Sequence, residues 1–245
     1  MNTIANYIKQ RLSLREPLQD SLDIVAKLTE ELALKKEIDL ADELEKVKDF
    51  FPTCTDFERD FVSIAFSIAT GVGKTRLMGA IIAYLYLRKG IKNFFVLAPN
   101  LTIYDKLIGD FGNPGYAKYV FNGISEFVHN RPIVITGDNY SQQGALFSDS
   151  EIRINIFNIA KFNSDSRGTK KGGVSLAPRI KRLSEYLGQS YWDYLSGLDD
   201  LVILMDEAHR YHADALEHRI GGLGSDGVYI DGHTLSSSLM RDKFQ

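Results

Sequence analysis

The stretch Phe61-Val62-Ser63-Ile64-Ala65-Phe66-Ser67-Ile68-Ala69-Thr70-Gly71-Val72-Gly73-Lys74-Thr75 decides how the rest of the chain is read. Its first part, Phe61 to Ile68, is an apolar run rich in β-branched and aromatic side chains, the composition of a buried strand. The segment that follows, Thr75 to Arg88, has the apolar spacing of an amphipathic helix. Between them, Gly71 and Gly73 let the backbone curl until several N–H groups of the Thr70–Gly73 loop, Val72 included, face one point. A helix beginning near Lys74 adds the positive end of its dipole there. That point suits a phosphate chain. Lys74 can set a charge between the β- and γ-phosphates, and the Thr75 hydroxyl can ligate the magnesium that bridges them. The plainer reading is a glycine-rich turn with an incidental lysine, and Ile68 stands where a small residue usually opens the pattern.

A second apolar run, Leu201 to Met205, ends in Asp206-Glu207-Ala208-His209. In an open parallel sheet, functional groups collect at the carboxyl ends of the strands, where the glycine loop also lies. Asp206 is then placed to hold magnesium, and Glu207 to polarise the water that attacks the γ-phosphate. His209 would relay the nucleotide state to neighbouring elements. Two acids after a strand can also be plain helix caps, but capping does not account for their company with Lys74. The conjunction points to ATP with Mg2+. A rival reading makes His209 and His212 metal ligands, with Asp214 or His218 nearby; histidines on a polar helix are more often simply solvated.

Working outward, strands and helices alternate: helix 75–88, strand 93–98, helix 102–110, strands 133–136 and 152–157, and strand 201–205. Continuous apolar strands separated by amphipathic helices predict an α/β fold, a mostly parallel sheet with helices on both faces. The first sixty residues read as helical, with Leu22, Ile24, Val25 and Leu28 at amphipathic spacing. The expected division is a helical segment over 1–58, an ATP-binding domain over 59–220 and a glycine-rich tail over 221–245. Residues 163–173 and 221–232 read as mobile loops.

The composition fits an ordinary globular chain of 245 residues, with 44% hydrophobic and 25% charged residues. The net charge of -3 gives no global attraction to nucleic acid or to an anionic membrane. No stretch nears the roughly 20 apolar residues of a membrane span, and the charged start does not read as a signal peptide. The single cysteine, Cys54, cannot form an internal disulfide and reads as a semi-buried thiol. A cytoplasmic location is expected.

The two motifs together resemble the first RecA-like domain of a superfamily 2 helicase or translocase of the DEAH-box kind, most closely the type III restriction endonuclease Res subunits and the related type I motor subunits. The resemblance runs from about Leu14 to Ala215. Leu14-Arg-Glu-Pro-Leu-Gln19 is similar to the family's opening motif, which implies adenine recognition by Gln19. Ala69 to Thr75 matches motif I and Asp206 to His209 motif II, followed by Arg210-Tyr211. Val96-Leu-Ala-Pro99-Asn100 matches motif Ia, whose loop grips the nucleic-acid backbone, and Ile154 to Phe162 resembles a further DNA-facing motif that ends near Lys161. The resemblance implies an ATP-driven motor on duplex DNA in a restriction system. Its implied partners are a modification or specificity subunit, or a chain supplying the second RecA-like domain.

From the residues alone, the DNA case rests on a basic strip. Lys161, Arg167, Lys170, Lys171, Arg179, Lys181 and Arg182 face one acid, Asp165, within 161–182, and such a strip can supply phosphate contacts. A solvated loop followed by a surface helix is the equal alternative. Asp138 with Glu151 and Arg153 lacks the lysine expected of a nuclease centre.

After His209 come 36 residues without a Ser-Ala-Thr or Thr-Ala-Thr motif or a second RecA-like domain, whose arginine would reach the γ-phosphate. The expectation is therefore a chain that binds ATP and hydrolyses it poorly on its own. A nucleotide-gated binding module acting through a partner is the alternative. A transporter-type ATPase would carry a Leu-Ser-Gly-Gly-Gln signature, which the sequence lacks.

Overall fold

A computed structural model describes residues 2–35, 37–57, 61–140, 151–158 and 190–206. Three helices open the chain: α1 (Thr3–Arg11), α2 (Glu16–Glu31) and α3 (Leu40–Lys48). Asn2 caps α1, its Oδ1 accepting from Ala5 N at 3.1 Å. Asp39 caps α3 through Ala41 N at 2.9 Å. Then come α4 (Lys74–Tyr84), extended by a π-helical turn over Leu85–Lys89, β1 (Asn93–Ala98), α5 (Leu101–Gly112), α6 (Glu126–His129), β2 (Ile133–Thr136), β3 (Arg153–Asn158), α7 (Tyr191–Gly197) and β4 (Leu201–Met205).

The strands form one parallel sheet in the order β2-β3-β1-β4. The register pairs Phe94 with Ile154 on one side and with Val202 on the other. Every residue of β1, β3 and β4 is buried, so β4 and most of β1 read as unbroken apolar runs, whereas β3 also buries Arg153, Asn155 and Asn158. Period-two alternation sends Phe94, Val96, Val202 and Leu204 into a core shared with α1, α2, α4 and α5. It sends Phe95, Leu97, Ile203 and Met205 into a second core with Tyr191, Trp192 and Leu195 of α7. The α/β fold with a parallel sheet, helices on both faces and a helical N-terminal segment is therefore present.

One element differs from expectation. Residues 61–69 form no strand, although Val62, Phe66 and Ile68 are buried. An apolar run determines that side chains go inside, not that the backbone joins a ladder. Here Phe66 and Ile68 fill the first core, while Phe61 packs on the second. Elsewhere the expected strands appear within a residue of their predicted bounds.

The N-terminal helices dock on α4 through an apolar stripe, Leu18, Leu22, Val25 and Ala26, and through a polar clamp at its end. Glu30 accepts from Arg88 Nε at 2.7 Å and Nη2 at 2.8 Å, and from the Tyr84 hydroxyl at 3.0 Å. The Arg88 guanidinium beside it holds the Glu30 carboxyl down at about 2, against the opposing effect of burial. Cys54 is buried in a third cluster with Leu28, Leu32 and Val47, and its Sγ donates to Asp56 O at 3.6 Å.

Candidate nucleotide site

The glycine loop has the shape that its composition predicts. Val72 N donates to Ala69 O at 3.4 Å, closing a turn. Gly71 has φ +81 and Gly73 φ +118, conformations that L side chains rarely adopt. Gly73 is the N-cap of α4, and its carbonyl accepts from Arg76 N at 2.9 Å and Leu77 N at 3.1 Å. The first turn of a helix points N–H groups along its axis without intrahelical acceptors. The loop therefore feeds straight into an anion-favouring end that begins at Lys74 and Thr75. A Cβ on Gly71 would meet nothing within 4 Å, so the outer face of the loop is open to a close-approaching ligand. Thr70 and Gly71 are exposed, and Val72, Gly73, Lys74 and Thr75 are half-buried.

The turn between α1 and α2 straps this loop from outside. Arg76 Nη1 donates to Leu12 O at 2.7 Å, and Arg15 Nη1 donates back to Gly71 O at 3.4 Å. Leu18 Cδ1 lies 3.3 Å from where a Gly73 Cβ would sit. Gln19, one position further on, is half-buried and donates through Nε2 to Leu14 O at 2.7 Å. Gln19 therefore stands on the helix that contacts the loop, with its amide holding the strap's backbone.

Asp206 follows β4 directly, and its N–H donates to Leu97 O at 3.3 Å, one residue past the β1–β4 ladder. Its position is thus fixed at the carboxyl end of β1, from which Pro99 and Asn100 lead into α5. Asn100 is the N-cap of α5, with Oδ1 accepting from Ile103 N at 2.9 Å. From the same helix Lys106 Nζ donates to Thr75 Oγ1 at 3.1 Å. The start of α4 is thus tied to α5 through Thr75, and Asp206 at the end of β4 lies beside the carboxyl end of β1, from which α5 departs. Thr75 and Asp206 offer a hydroxyl and a carboxylate, hard oxygen donors of the kind magnesium takes. The Lys106 ammonium occupies one acceptor position of Thr75 Oγ1.

Glu207, His209, Lys161, Lys170 and Lys171 lie outside the described residues, as does the rival histidine cluster. Among the described residues no group of three or more His, Cys, Asp or Glu is placed to hold a metal. The weak nuclease candidate does not assemble. Arg153 is buried in β3 and donates to Asn93 Oδ1 at 3.3 Å. Glu151 precedes Arg153 at the amino end of β3, whereas Asp138 follows the carboxyl end of its parallel neighbour β2. A cavity of about 320 Å³ lined by Val62, Lys89, Asp200 and Leu201 lies at the amino ends of β1 and β4, away from the loop.

Sequence reasoning missed two groups that touch the loop, Arg15 and Lys106. Their signals, an arginine before the Pro17 of α2 and a Lys106–Asp110 pair one helical turn apart, are common on solvated surfaces.

A family described as type III restriction enzyme, res subunit, matches residues 23–224. The chain is also 36% identical over 184 residues to a protein of Haemophilus influenzae described as the probable type III restriction-modification enzyme HindVIP Res subunit, an alignment covering 74% of this chain and 30% of that protein. The aligned part thus spans about 30% of the relative's length.

Proposed function

This chain belongs to the type III restriction enzyme Res subunit family, and we propose that it is the ATP-binding half of a DNA-dependent ATPase of the helicase or translocase type, serving a restriction system in the cytoplasm. The observation that carries the reading is the left-handed Gly71–Gly73 loop running into α4, on the same sheet edge where Leu97 anchors Asp206.

ATP, bound as its magnesium complex, supplies the phosphoryl group that is transferred to water. The backbone of Thr70 to Gly73 and the first turn of α4 cradle the phosphates. Lys74 neutralises charge that builds up on them. Thr75 and Asp206 hold the metal through oxygen. Glu207 orients the attacking water, and His209 passes the state of the site to neighbouring elements. Gln19 reads the adenine. Pro99 and Asn100, with Lys161, Lys170 and Lys171, contact the phosphate backbone of duplex DNA. Those contacts carry no sequence information, so sequence choice falls to a modification or specificity subunit. An arginine that stabilises the transferring charge is worth several orders of magnitude in rate. We assign that arginine to a second RecA-like domain of the working enzyme, and residues 1–245 assayed by themselves are expected to bind ATP and turn it over slowly.

The test is steady-state ATP hydrolysis by the chain with and without duplex DNA, with Lys74→Ala as the background. The expected result is slow turnover that DNA raises and the substitution abolishes. Turnover equal in wild type and Lys74→Ala would contradict the assignment. Retained ATP binding with no turnover would favour a nucleotide-gated module that acts through a partner chain.

A further inference from the structure

The Thr75 hydroxyl, assigned above to the bridging metal, is within reach of a second cation. Lys106 on α5 donates to it from Nζ at 3.1 Å, across 31 positions of sequence. One turn further along α5, Asp110 Oδ2 lies 3.5 Å from the same ammonium. The Asp110 side chain is only 3% exposed, whereas Lys106 is 45% exposed. Asp110 Oδ1 has no hydrogen-bond partner among the described residues. Burial pushes the Asp110 carboxyl up, and Lys106 draws it back down. The ammonium thus sits between two oxygens, one on each of two packed helices.

A divalent cation ligated by Thr75 Oγ1 and an ammonium donating to that oxygen would be two positive charges within a few ångströms. Such neighbours repel strongly even where solvent softens the interaction. The lysine has somewhere to go. Its flexible four-carbon stem needs only a small change to bring Nζ from 3.5 Å into full contact with Asp110, whose buried Oδ1 has no hydrogen-bond partner among the described residues.

We infer that Lys106 is a positioning residue that exchanges between Thr75 and Asp110, competing with the divalent cation for the Thr75 hydroxyl and thereby setting how much magnesium the nucleotide site requires. The inference rests on the nucleotide reading of the glycine loop. A solvated i,i+4 pair between Lys106 and Asp110 alone would not involve α4, and the Thr75 contact is what separates the two descriptions.

The experiment titrates magnesium chloride against binding of a fluorescent, slowly hydrolysed ATP analogue to wild type, Lys106→Met, Lys106→Arg and Asp110→Asn. Removing the competitor in Lys106→Met lowers the half-saturating magnesium about fivefold, the scale of one partly exposed charged contact, without tightening binding in EDTA. Lys106→Arg keeps the cation and restores the wild-type requirement. Asp110→Asn removes the alternative seat and moves the requirement the opposite way, so the inference stays testable should either variant fold poorly. An unchanged or higher magnesium requirement in folded Lys106→Met, with wild type binding the analogue normally, overturns this inference alone. Failure of wild type to bind the analogue at any magnesium concentration overturns the nucleotide reading and the inference with it.

Discussion

Gly73 illustrates how much one residue decides here. At φ +118 and ψ 42 it turns the chain from the loop into α4, and an added methyl would both strain the backbone and press on Leu18 Cδ1 at 3.3 Å. Gly73→Ala is therefore expected to cost roughly 1–2 kcal/mol in urea denaturation and to weaken ATP binding beyond what the stability loss explains. Gly71→Ala, with nothing within 4 Å of the new methyl, should show the backbone strain without the packing penalty. These residues were legible because a phosphate loop is a local device: its glycines, lysine and threonine fall within the five positions 71–75. Arg15 and Lys106 were not legible, since their partners Gly71 and Thr75 lie 56 and 31 positions away and only the folded chain brings them together. Gln19 falls between these cases. Its helix contacts the loop through Leu18, and its amide donates to Leu14 O, a bond that adenine recognition would have to exchange or share.

At the scale of elements, helices and strands were read most easily where burial leaves a period in the sequence. Strands β1 and β4 fell at their predicted bounds because both faces are covered and no polar residue interrupts them. The run 61–69 had the same composition but not the same pairing, since hydropathy reports burial and is silent about backbone partners. Asn100 shows a second kind of ambiguity, because a polar residue after a strand can serve a ligand or cap the next helix. Its cap bond to Ile103 N predicts that Asn100→Ala loses about 1 kcal/mol of stability. Asn100→Asp should keep the cap and, by adding a negative charge, weaken DNA binding if this loop faces the phosphate backbone. The Glu30 clamp makes a further prediction about how α2 docks on α4. Its carboxyl has a folded-state pKa of about 2, below its ordinary value of 4.5, so its stabilisation is complete above about 4.5 and fades as pH falls toward 2. Glu30→Gln should be less stable than wild type at neutral pH in thermal melts, with the difference closing across that acid window.

At the scale of the molecule, a parallel sheet buried on both faces puts its working edge at the strand carboxyl ends, where Asp206 and the start of α5 lie, and Lys106 ties α5 to Thr75 at the start of α4. No helix among the described residues is long and apolar enough to cross a membrane. The overall charge, -3 in 245 residues, leaves the proposed DNA binding to local groups, and its predicted signature is a steep dependence on salt. The architecture was legible from alternating apolar strands and amphipathic helices, and the family from two motifs in order. The strap that the first two helices place across the loop was not, because it depends on how a helical segment docks rather than on any motif it contains. The central claim is that this edge binds ATP with magnesium, and the most direct measurement is equilibrium binding of a fluorescent ATP analogue to wild type and Lys74→Ala. Saturable binding that requires magnesium and disappears in a folded Lys74→Ala variant is the predicted result. Binding of equal strength in both proteins, or none in wild type, would contradict it.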